Sequence, residues 1–375
     1  MTEITPALLE DWLRDYYFTA EIDISSSGVE NFSLFQLREY IGITQEELDR
    51  VSFHDSQTLG GLELRQAISQ RWGNSDPSRV MATNGSSEAI FLLMHALLGP
   101  DDEVVAIEPC YPALVHVAES IGCRVRRWQL RLEEQFIPNL EELKNLISPQ
   151  TRLVVVNFPH NPTGASLSVE QLHELIEIVS AVGAYLIWDA VFAEITYDSS
   201  PLPDACFLYD KAISIGTLSK AYGLPGLRVG WCLAPPEVLA SCIHWRDYTT
   251  ICLSPLVELI AQRVIEQADC LLNIRLQQAR INLGILSEWF ERHQDFVQWV
   301  PPLGGVAVFP RFLGISDTEA FCRTLMKDYG VLLAPGTCFQ HPNHVRLGFG
   351  TSTANLKEGL ERLSKLLKTK RFQKL

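Results

Sequence analysis

The choice of fold follows from the stretch Ser214-Ile-Gly-Thr-Leu-Ser-Lys-Ala-Tyr-Gly-Leu-Pro-Gly-Leu-Arg-Val-Gly-Trp231, which centres on Lys220. The lysine follows a short apolar run and enters a glycine-rich loop. Burial in such a loop lowers the pKa of a lysine, so that its neutral amine can form a Schiff base. Thr217 and Ser219 offer hydroxyls beside it, and Arg228 offers a guanidinium fork that suits a phosphate. A surface loop with a solvated lysine is the alternative.

Strand-like apolar runs alternate with helical patterns around this stretch. The apolar runs span 104–108, 152–158, 185–188, 212–215 and 229–233. Such runs are typical of strands that are buried on both faces of a parallel sheet. Residues 168–182 have the capping and apolar spacing of a helix. Strands that alternate with helices predict an α/β fold with a parallel sheet.

The length of 375 residues favours two domains over a single core. In the last third of the chain, a long helical pattern over 258–290 precedes a strand-rich one over 299–311. We predict three parts: an N-terminal segment over 1–45, a large domain over 46–275 and a small α+β domain over 276–375. The N-terminal segment is expected to be irregular and to pack against the small domain.

The composition excludes several classes of protein. A formal net charge of −14 makes nucleic acid a poor partner, because an acidic surface repels phosphate backbones. The nine cysteines are scattered without metal-ligand spacing, so we expect no metal, no disulfide framework and a cytoplasmic location. No apolar run reaches about 18 residues and the N-terminus lacks a signal-peptide layout, so no membrane partner is predicted.

Two further segments supply candidate site residues. Asn84-Gly-Ser-Ser-Glu88 is a glycine turn that opens a helix, and free N–H groups at a helix start favour an anion. A simple N-cap serine is the alternative for this turn. Asp189 ends a strand-like run, at the edge of an α/β sheet where ligands bind. A carboxylate buried there would be costly without a partner.

The segment around Lys220 resembles the lysine motif of the class I/II aminotransferase superfamily, the fold type I enzymes of pyridoxal 5'-phosphate (PLP). The resemblance extends over about 56–363 and includes Pro109-Cys-Tyr-Pro112, Asn157-Phe-Pro-His-Asn-Pro-Thr-Gly164 and His344-Val-Arg-Leu-Gly-Phe349. It implies a large domain with a mostly parallel seven-stranded sheet flanked by helices, and a small α+β domain. It also implies PLP bound to Lys220 as a Schiff base, and a homodimer.

The resemblance assigns roles residue by residue. Tyr111 would stack on the pyridine ring, Asn161 would bind its phenolic oxygen, and Asp189 would keep its nitrogen protonated. Arg346 would bind the α-carboxylate of an amino acid substrate. A core tyrosine and a strand-edge arginine are the alternatives for Tyr111 and Arg346. The residues expected to bind the cofactor are Gly85, Ser86, Ser87, Tyr111, Asn161, Asp189, Thr217, Ser219, Lys220 and Arg228.

Two positions depart from the family pattern. Phe192 stands three places after Asp189, where the family has a tyrosine, so one hydrogen bond to the phenolic oxygen is missing. Residues 53–55, Phe-His-Asp, stand where a tyrosine commonly donates to the phosphate across the dimer. The first change is expected to alter the electronics of the bound cofactor. The second puts the intersubunit phosphate contact in doubt.

The N-terminal segment resembles a specialised subgroup of the family. The segment Asp23-Ile-Ser-Ser-Ser-Gly-Val-Glu-Asn31 follows Glu10-Asp-Trp-Leu, and its part from Asp23 to Val29 is the most specific string. Both resemble the capreomycidine synthase subgroup, which cyclises a hydroxylated arginine instead of transferring its amine. The resemblance implies Glu10 as the partner of the guanidinium and Ser25 beside the leaving hydroxyl. The alternatives are a polar entry loop and, for Glu10, an exposed acid at a helix start.

We therefore predict a PLP-dependent cyclodehydratase of hydroxy-L-arginine. Lys220 would remove the Cα proton, the hydroxyl would leave as water, and the guanidine would add to the resulting alkene. β-Hydroxy-L-arginine would give capreomycidine, and γ-hydroxy-L-arginine would give L-enduracididine. The competing hypotheses are an ordinary aminotransferase that uses a 2-oxo acid and, from another class, a ligand-sensing regulator without enzymatic activity. The acidic charge counts against the regulator.

Overall fold

The protein is represented by a computed structural model that describes residues 4–369. Its strands in these residues are β1 (Ile22–Asp23), β2 (Val80–Thr83), β3 (Glu103–Glu108), β4 (Arg124–Gln129), β5 (Thr151–Asn157), β6 (Tyr185–Asp189), β7 (Ala212–Thr217), β8 (Gly230–Leu233), β9 (Val297–Gln298), β10 (Ala307–Val308), β11 (Arg311–Phe312), β12 (Val331–Leu332), β13 (Ala334–Pro335) and β14 (Val345–Gly348). Its α-helices there are α1 (Leu8–Tyr16), α2 (Leu34–Ile41), α3 (Gln45–Asp49), α4 (Leu62–Trp72), α5 (Ser86–Leu97), α6 (Ala113–Ile121), α7 (Leu140–Leu146), α8 (Val169–Ala181), α9 (Pro236–Arg246), α10 (Pro255–Glu266), α11 (Ala268–Arg292), α12 (Thr318–Tyr329) and α13 (Thr353–Leu367).

One large sheet contains seven of the strands, in the order β2-β8-β7-β6-β5-β3-β4. Strands β3 to β7 run parallel to one another, whereas β8 runs antiparallel to both β7 and β2. The inner strands β6 and β7 are buried along almost their whole length, as expected for strands covered by helices on both faces. The predicted α/β fold with a mostly parallel, seven-stranded sheet is confirmed.

The edge strand β4 is the part of this sheet that apolar runs do not predict. Its residues, Arg-Val-Arg-Arg-Trp-Gln, alternate between exposed and half-buried side chains along most of the strand. Because β4 pairs with β3 alone, one of its sides has no neighbouring strand. An edge strand of this kind lacks the continuous apolar sequence of a central strand.

Polar residues lie at the carboxyl ends of the parallel strands, along one edge of the sheet. Strand β5 ends at Asn157, β6 at Asp189 and β7 at Thr217, and Lys220 follows in the loop after β7. Helix α5 begins at Ser86, shortly after β2. The carboxyl ends of the strands in an open α/β sheet are where ligands bind, so this edge is the place to look for a site.

The N-terminal segment contains regular structure, so the expectation of an irregular segment is wrong. It includes α1 and α2, and β1 pairs in parallel with β12. The indole Nε1 of Trp12 holds α1 in place by donating to the Leu333 carbonyl at 2.8 Å. Helices this short are marginal in isolation, and contacts with the rest of the fold stabilise them.

Residues 299–311 are less rich in strand than predicted. They contain β10 and the first residue of β11. The backbone N–H of Leu303 donates to the Gly164 carbonyl at 2.8 Å, and that of Gly305 donates to the Ile195 carbonyl at 2.9 Å. These bonds to loops of the large sheet replace a strand ladder.

The division into three parts stays a prediction, and residues 1–3 and 370–375 of its outer parts lie outside the described range. Between residues 4 and 369, no helix has both the length and the apolar character needed to span a membrane. The same residues hold no group of three or more His, Cys, Asp or Glu side chains that could ligate a metal ion.

Candidate active site

A cavity of about 340 Å³ lies at the carboxyl edge of the large sheet. It is bounded by the loop after β7, the start of α5, the N-terminal segment and β14. Most of the residues predicted for the site line this one cavity, although they are spread over the whole chain. The predicted residues in its wall are Glu10, Ser86, Ser87, Tyr111, Asn161, Asp189, Ser219, Lys220, Arg228 and Arg346.

Lys220 projects into this cavity from the loop that follows β7. Burial lowers the pKa of its amine to about 8, and the nearby Arg346 guanidinium is the next largest cause. Its Nζ lies 3.2 Å from the hydroxyl of Ser27. A lysine that gives up its proton near neutral pH is suited both to attack a carbonyl and to act as a base.

An anion site lies at the start of α5. Gly85 precedes the helix with a φ of 83°, a conformation that favours glycine. A Cβ atom at this position would lie 2.2 Å from Nη2 of Arg228, so the guanidinium lies directly against the turn. Arg228 is held there by a bond from Nη1 to the Pro225 carbonyl at 2.9 Å. The free N–H groups of Ser86 and Ser87 and this guanidinium together suit a phosphate.

Asp189 is a buried carboxylate at the end of β6. Its Oδ1 accepts a hydrogen bond from the backbone N–H of Val191 at 3.2 Å. Burial raises the pKa of Asp189 to about 7, against the lowering effects of this bond and of the Lys220 charge. A protonated ring nitrogen in the cavity would stabilise the ionised carboxylate, because the opposite charge favours the charged form.

Arg346, on β14, is a buried cation in the same wall. Its Nε donates to the Ser25 carbonyl at 2.9 Å, and Nη1 donates to Oδ1 of Asn161 at 3.4 Å. Burial lowers the pKa of this guanidinium. No hydrogen bond of residues 4–369 uses its Nη2, so the guanidinium keeps donors for a carboxylate.

The cavity wall also carries an acid and a phenol. Glu10, on α1, accepts a hydrogen bond from the hydroxyl of Tyr111 at 3.1 Å through its Oε1. Burial raises the pKa of Tyr111, and the Glu10 charge raises it further, so the phenol stays a donor. Phe192 also lines the cavity and is 3% exposed, where a tyrosine would have placed a hydroxyl. The cavity wall thus combines aromatic, acidic and cationic side chains.

Three predicted residues do not line the cavity. Ser25 is fully buried and its hydroxyl donates to Asp23 at 2.6 Å, so its place beside a leaving group stays a prediction. Its carbonyl supports Arg346 instead. Thr217 donates to the Val229 carbonyl at 2.8 Å and accepts from the Ser219 N–H at 3.1 Å, which orders the start of the Lys220 loop. Gly85 lies behind Arg228.

Asp23, Ser26 and Ser27 also line the cavity and were not among the predicted site residues. They belong to the string over 23–31 that resembles the specialised subgroup, so a signal was present in the sequence. Choosing between three consecutive serines requires knowing which way each side chain points. No spacing argument supplies that information for a segment that follows a strand of two residues.

Comparisons with known proteins agree with this site. The model of the family described as aminotransferase class I and II matches residues 28–363. Capreomycidine synthase from Streptomyces vinaceus is 42% identical over 365 residues, covering 97% of this chain and 94% of that protein. The arginine–pyruvate transaminase AruH from Pseudomonas aeruginosa is 29% identical, covering 83% and 81%. The crystal structure of the PLP-dependent cyclase OrfR in complex with Au has a TM-score of 0.93 at 42% identity, covering 98% of each chain.

The chain belongs to the aminotransferase class I and II family. It is an enzyme of the aminotransferase fold, and its cofactor is PLP. The predicted family and cofactor are therefore confirmed. The residues of the cavity fit that group, because the anion site at α5, the amine of Lys220 and the buried carboxylate of Asp189 face one space.

Proposed function

We propose that this enzyme is a cyclodehydratase that converts a hydroxy-L-arginine into a cyclic guanidino amino acid. The observation that carries the proposal is the carboxylate of Glu10, held by Tyr111 in the wall of the cavity that contains Lys220. A carboxylate is the natural partner of a guanidinium. The similarity to capreomycidine synthase and to the cyclase OrfR supports the same assignment.

We assign the cofactor to the residues around Lys220. Lys220 would join it covalently, Arg228 with the start of α5 would bind its phosphate, and Asp189 would pair with its ring nitrogen. Tyr111 and Asn161 would contact the ring and its phenolic oxygen. When bound, PLP supplies an electron sink for a carbanion at the substrate Cα.

Two residues of the cavity wall would hold the substrate. Arg346 would bind the α-carboxylate through its remaining N–H donors, and Glu10 would bind the guanidinium. Binding both groups in one cavity would restrict the conformations of the chain that joins the guanidine to its own side-chain carbons. Ring closure then becomes an intramolecular step with a large entropic advantage.

Lys220 would move the protons of the reaction. As a neutral amine it would take the Cα proton, because a pKa of about 8 lets it accept and release a proton near neutral pH. For a hydroxyl on Cγ it would first release that proton to solvent and then, as a neutral amine again, take a proton from Cβ. The hydroxyl would leave as water. A guanidine nitrogen would then add to the alkene and lose its proton, and a proton would return to each substrate carbon that gave one up. Addition at Cβ gives the six-membered ring of capreomycidine, and addition at Cγ gives the five-membered ring of L-enduracididine.

The second candidate is an arginine aminotransferase, which the likeness to arginine–pyruvate transaminase favours. The two functions differ in what happens to a 2-oxo acid. We expect the enzyme to form product from hydroxy-L-arginine at the same rate with and without pyruvate, and to form no alanine. Alanine formed in proportion to the arginine consumed would identify a transaminase and reject the cyclodehydratase.

We propose a homodimer on the evidence of an exposed aromatic cluster. The ring of His95 lies 4.1 Å from that of Phe91 and 4.7 Å from that of Trp245. Tyr248, just beyond Trp245, is 92% exposed. Clusters of exposed aromatic side chains are typical of protein interfaces. Sedimentation at micromolar concentration should give twice the chain mass, and Trp245→Glu should shift the enzyme toward monomer.

The cytoplasmic location stays a prediction.

A further inference from the structure

Ser27 is the serine of the N-terminal segment that faces the reactive amine. It is 2% exposed and lines the active-site cavity. Its Oγ lies 3.2 Å from Nζ of Lys220. Among the hydrogen bonds of residues 4–369, this is the one that involves the Ser27 hydroxyl. The Ser27 hydroxyl can therefore interact with the Lys220 amine and with a molecule bound in the cavity.

The backbone fixes this short distance. The N–H of Val29 donates to the carbonyl of Lys220 itself at 3.1 Å, two residues after Ser27. The N–H of Phe32 donates to the Gly223 carbonyl at 3.2 Å, further along the same two segments. Because main-chain bonds join the segment of Ser27 to the loop of Lys220, the two side chains keep their relative positions without help from a ligand.

The neighbouring serines have other partners. The hydroxyl of Ser25 donates to Asp23 at 2.6 Å, and that of Ser26 accepts from the N–H of Gly28 at 3.2 Å. Ser26 lines the same cavity but makes no hydrogen bond to Lys220. The chain thus provides a matched control one residue away from Ser27.

The proposed function, on which this inference rests, needs an acid for its leaving group. A hydroxyl leaves carbon readily only when it receives a proton as the C–O bond breaks. Lys220 holds a proton at that moment, because it has just taken one from the substrate. A hydroxyl beside the lysine can accept that proton and donate its own to the leaving group, so the lysine does not have to reach the leaving group itself.

We propose that Ser27 relays a proton from Lys220 to the leaving hydroxyl. Lys220 takes the Cα proton of a β-hydroxylated substrate, or the Cβ proton of a γ-hydroxylated one. As the C–O bond breaks, its electron pair stays with oxygen, which takes the proton of Ser27 and departs as water. The electrons released from carbon form the C=C bond. Ser27 regains a proton from the Lys220 ammonium, so both residues return to their starting state.

The test compares leaving groups in Ser27→Ala and Ser26→Ala. Chloride leaves without a proton, so β-chloro-L-alanine should eliminate at a similar rate, within about threefold, in both variants and the wild type. Release of water from hydroxy-L-arginine should fall about 10²- to 10⁴-fold in Ser27→Ala and by less than about tenfold in Ser26→Ala, because Ser26 lines the cavity without a hydrogen bond to Lys220. Exchange of the substrate Cα proton with D₂O should persist in both variants.

A second measurement uses the cofactor-free chain. The Lys220 amine faces the charges of Arg346, Glu10, Asp189 and Arg228, and its ammonium donates to Ser27. Loss of that bond removes stabilisation of the charged form. The pH midpoint for acylation of Lys220 should therefore fall by about half a unit in Ser27→Ala and stay unchanged in Ser26→Ala. Peptide mass spectrometry measures both midpoints.

The outcomes separate this inference from the proposed function. If the wild type releases no water from either hydroxyarginine, the cyclodehydratase itself is rejected. If the wild type does release water and Ser27→Ala does so equally fast, the relay is rejected and the proposed function stands. An equal loss of water and chloride elimination in Ser27→Ala would also reject the relay, because it would show a structural role.

Discussion

The hydroxyl of Tyr111 donates a hydrogen bond of 3.1 Å to the carboxylate of Glu10 in the wall of the cavity that contains Lys220. The two residues are 101 positions apart in the chain. Glu10 lies on α1, which Trp12 fastens to the backbone of Leu333. Glu10 therefore lies in the wall of the site. The alternative, an exposed acid at the start of a helix, does not describe it.

Replacing Glu10 should separate substrate binding from cofactor binding. Loss of one charge-assisted bond to the guanidinium should lower kcat/KM for hydroxy-L-arginine about 10- to 100-fold in Glu10→Gln. The visible absorbance of bound PLP should be unchanged. Asp11→Asn is the control, because Asp11 is an exposed neighbour on the same helix that pairs with Arg14 at 3.0 Å. Equal losses in both variants would contradict the assignment of Glu10.

Capture of PLP by the cofactor-free enzyme should depend on pH through Lys220. The neutral amine is the nucleophile, and burial lowers its pKa to about 8, so the capture rate should rise with pH and level off above that value. Stopped-flow absorbance gives the midpoint. A midpoint near the ordinary lysine value would mean that Lys220 is not desolvated, and Lys220→Ala should show no covalent capture at any pH.

Asp189 should make the stability of the cofactor-free enzyme depend on pH. Its pKa is raised from 3.8 to about 7 in the folded chain, so the folded state binds the proton more tightly than the unfolded state. The contribution of this group is fully present below its unfolded pKa and is lost as pH rises toward about 7. Asp189→Asn should therefore be more stable than the wild type at pH 8.

The measurement for Asp189 is thermal unfolding between pH 4 and pH 8 without PLP. The difference in Tm between the variant and the wild type should grow as the pH rises to about 7, the pKa of Asp189, and then stay constant. With PLP bound, the order should reverse, because the carboxylate then has a cationic partner. A difference in Tm that does not change with pH would show that Asp189 is not a buried, uncompensated acid.

Gly85 offers a test of the anion site. Its φ of 83° disfavours other residues, and a Cβ would lie 2.2 Å from Nη2 of Arg228. We expect Gly85→Ala to weaken PLP binding about tenfold or more, since displacing Arg228 costs over about 1.4 kcal/mol. Gly226→Ala is the control, because a Cβ there has no neighbouring atom within 4 Å. Titration of PLP by fluorescence measures both, and equal affinities would contradict the assignment.

Much of the large sheet follows from the sequence because its inner strands are continuous apolar runs. The edge strand β4 does not, since its alternating side chains resemble those of many polar segments. Part of the cavity wall can also be predicted from the sequence, because Lys220, Asp189 and Arg346 lie in motifs that the family resemblance identifies. Which of the serines at 25–27 line the cavity could not be predicted, because the side-chain directions after β1 depend on main-chain bonds to a loop almost 200 residues away.

The central claim is tested most directly by the mass of the product from hydroxy-L-arginine. The PLP-loaded enzyme is incubated separately with the β- and γ-hydroxylated amino acids, without a 2-oxo acid. The account predicts that one of them loses a single water and that the product has a closed ring and no alkene by NMR. If both are recovered unchanged, and adding pyruvate starts their deamination, the enzyme is an aminotransferase and the account is wrong.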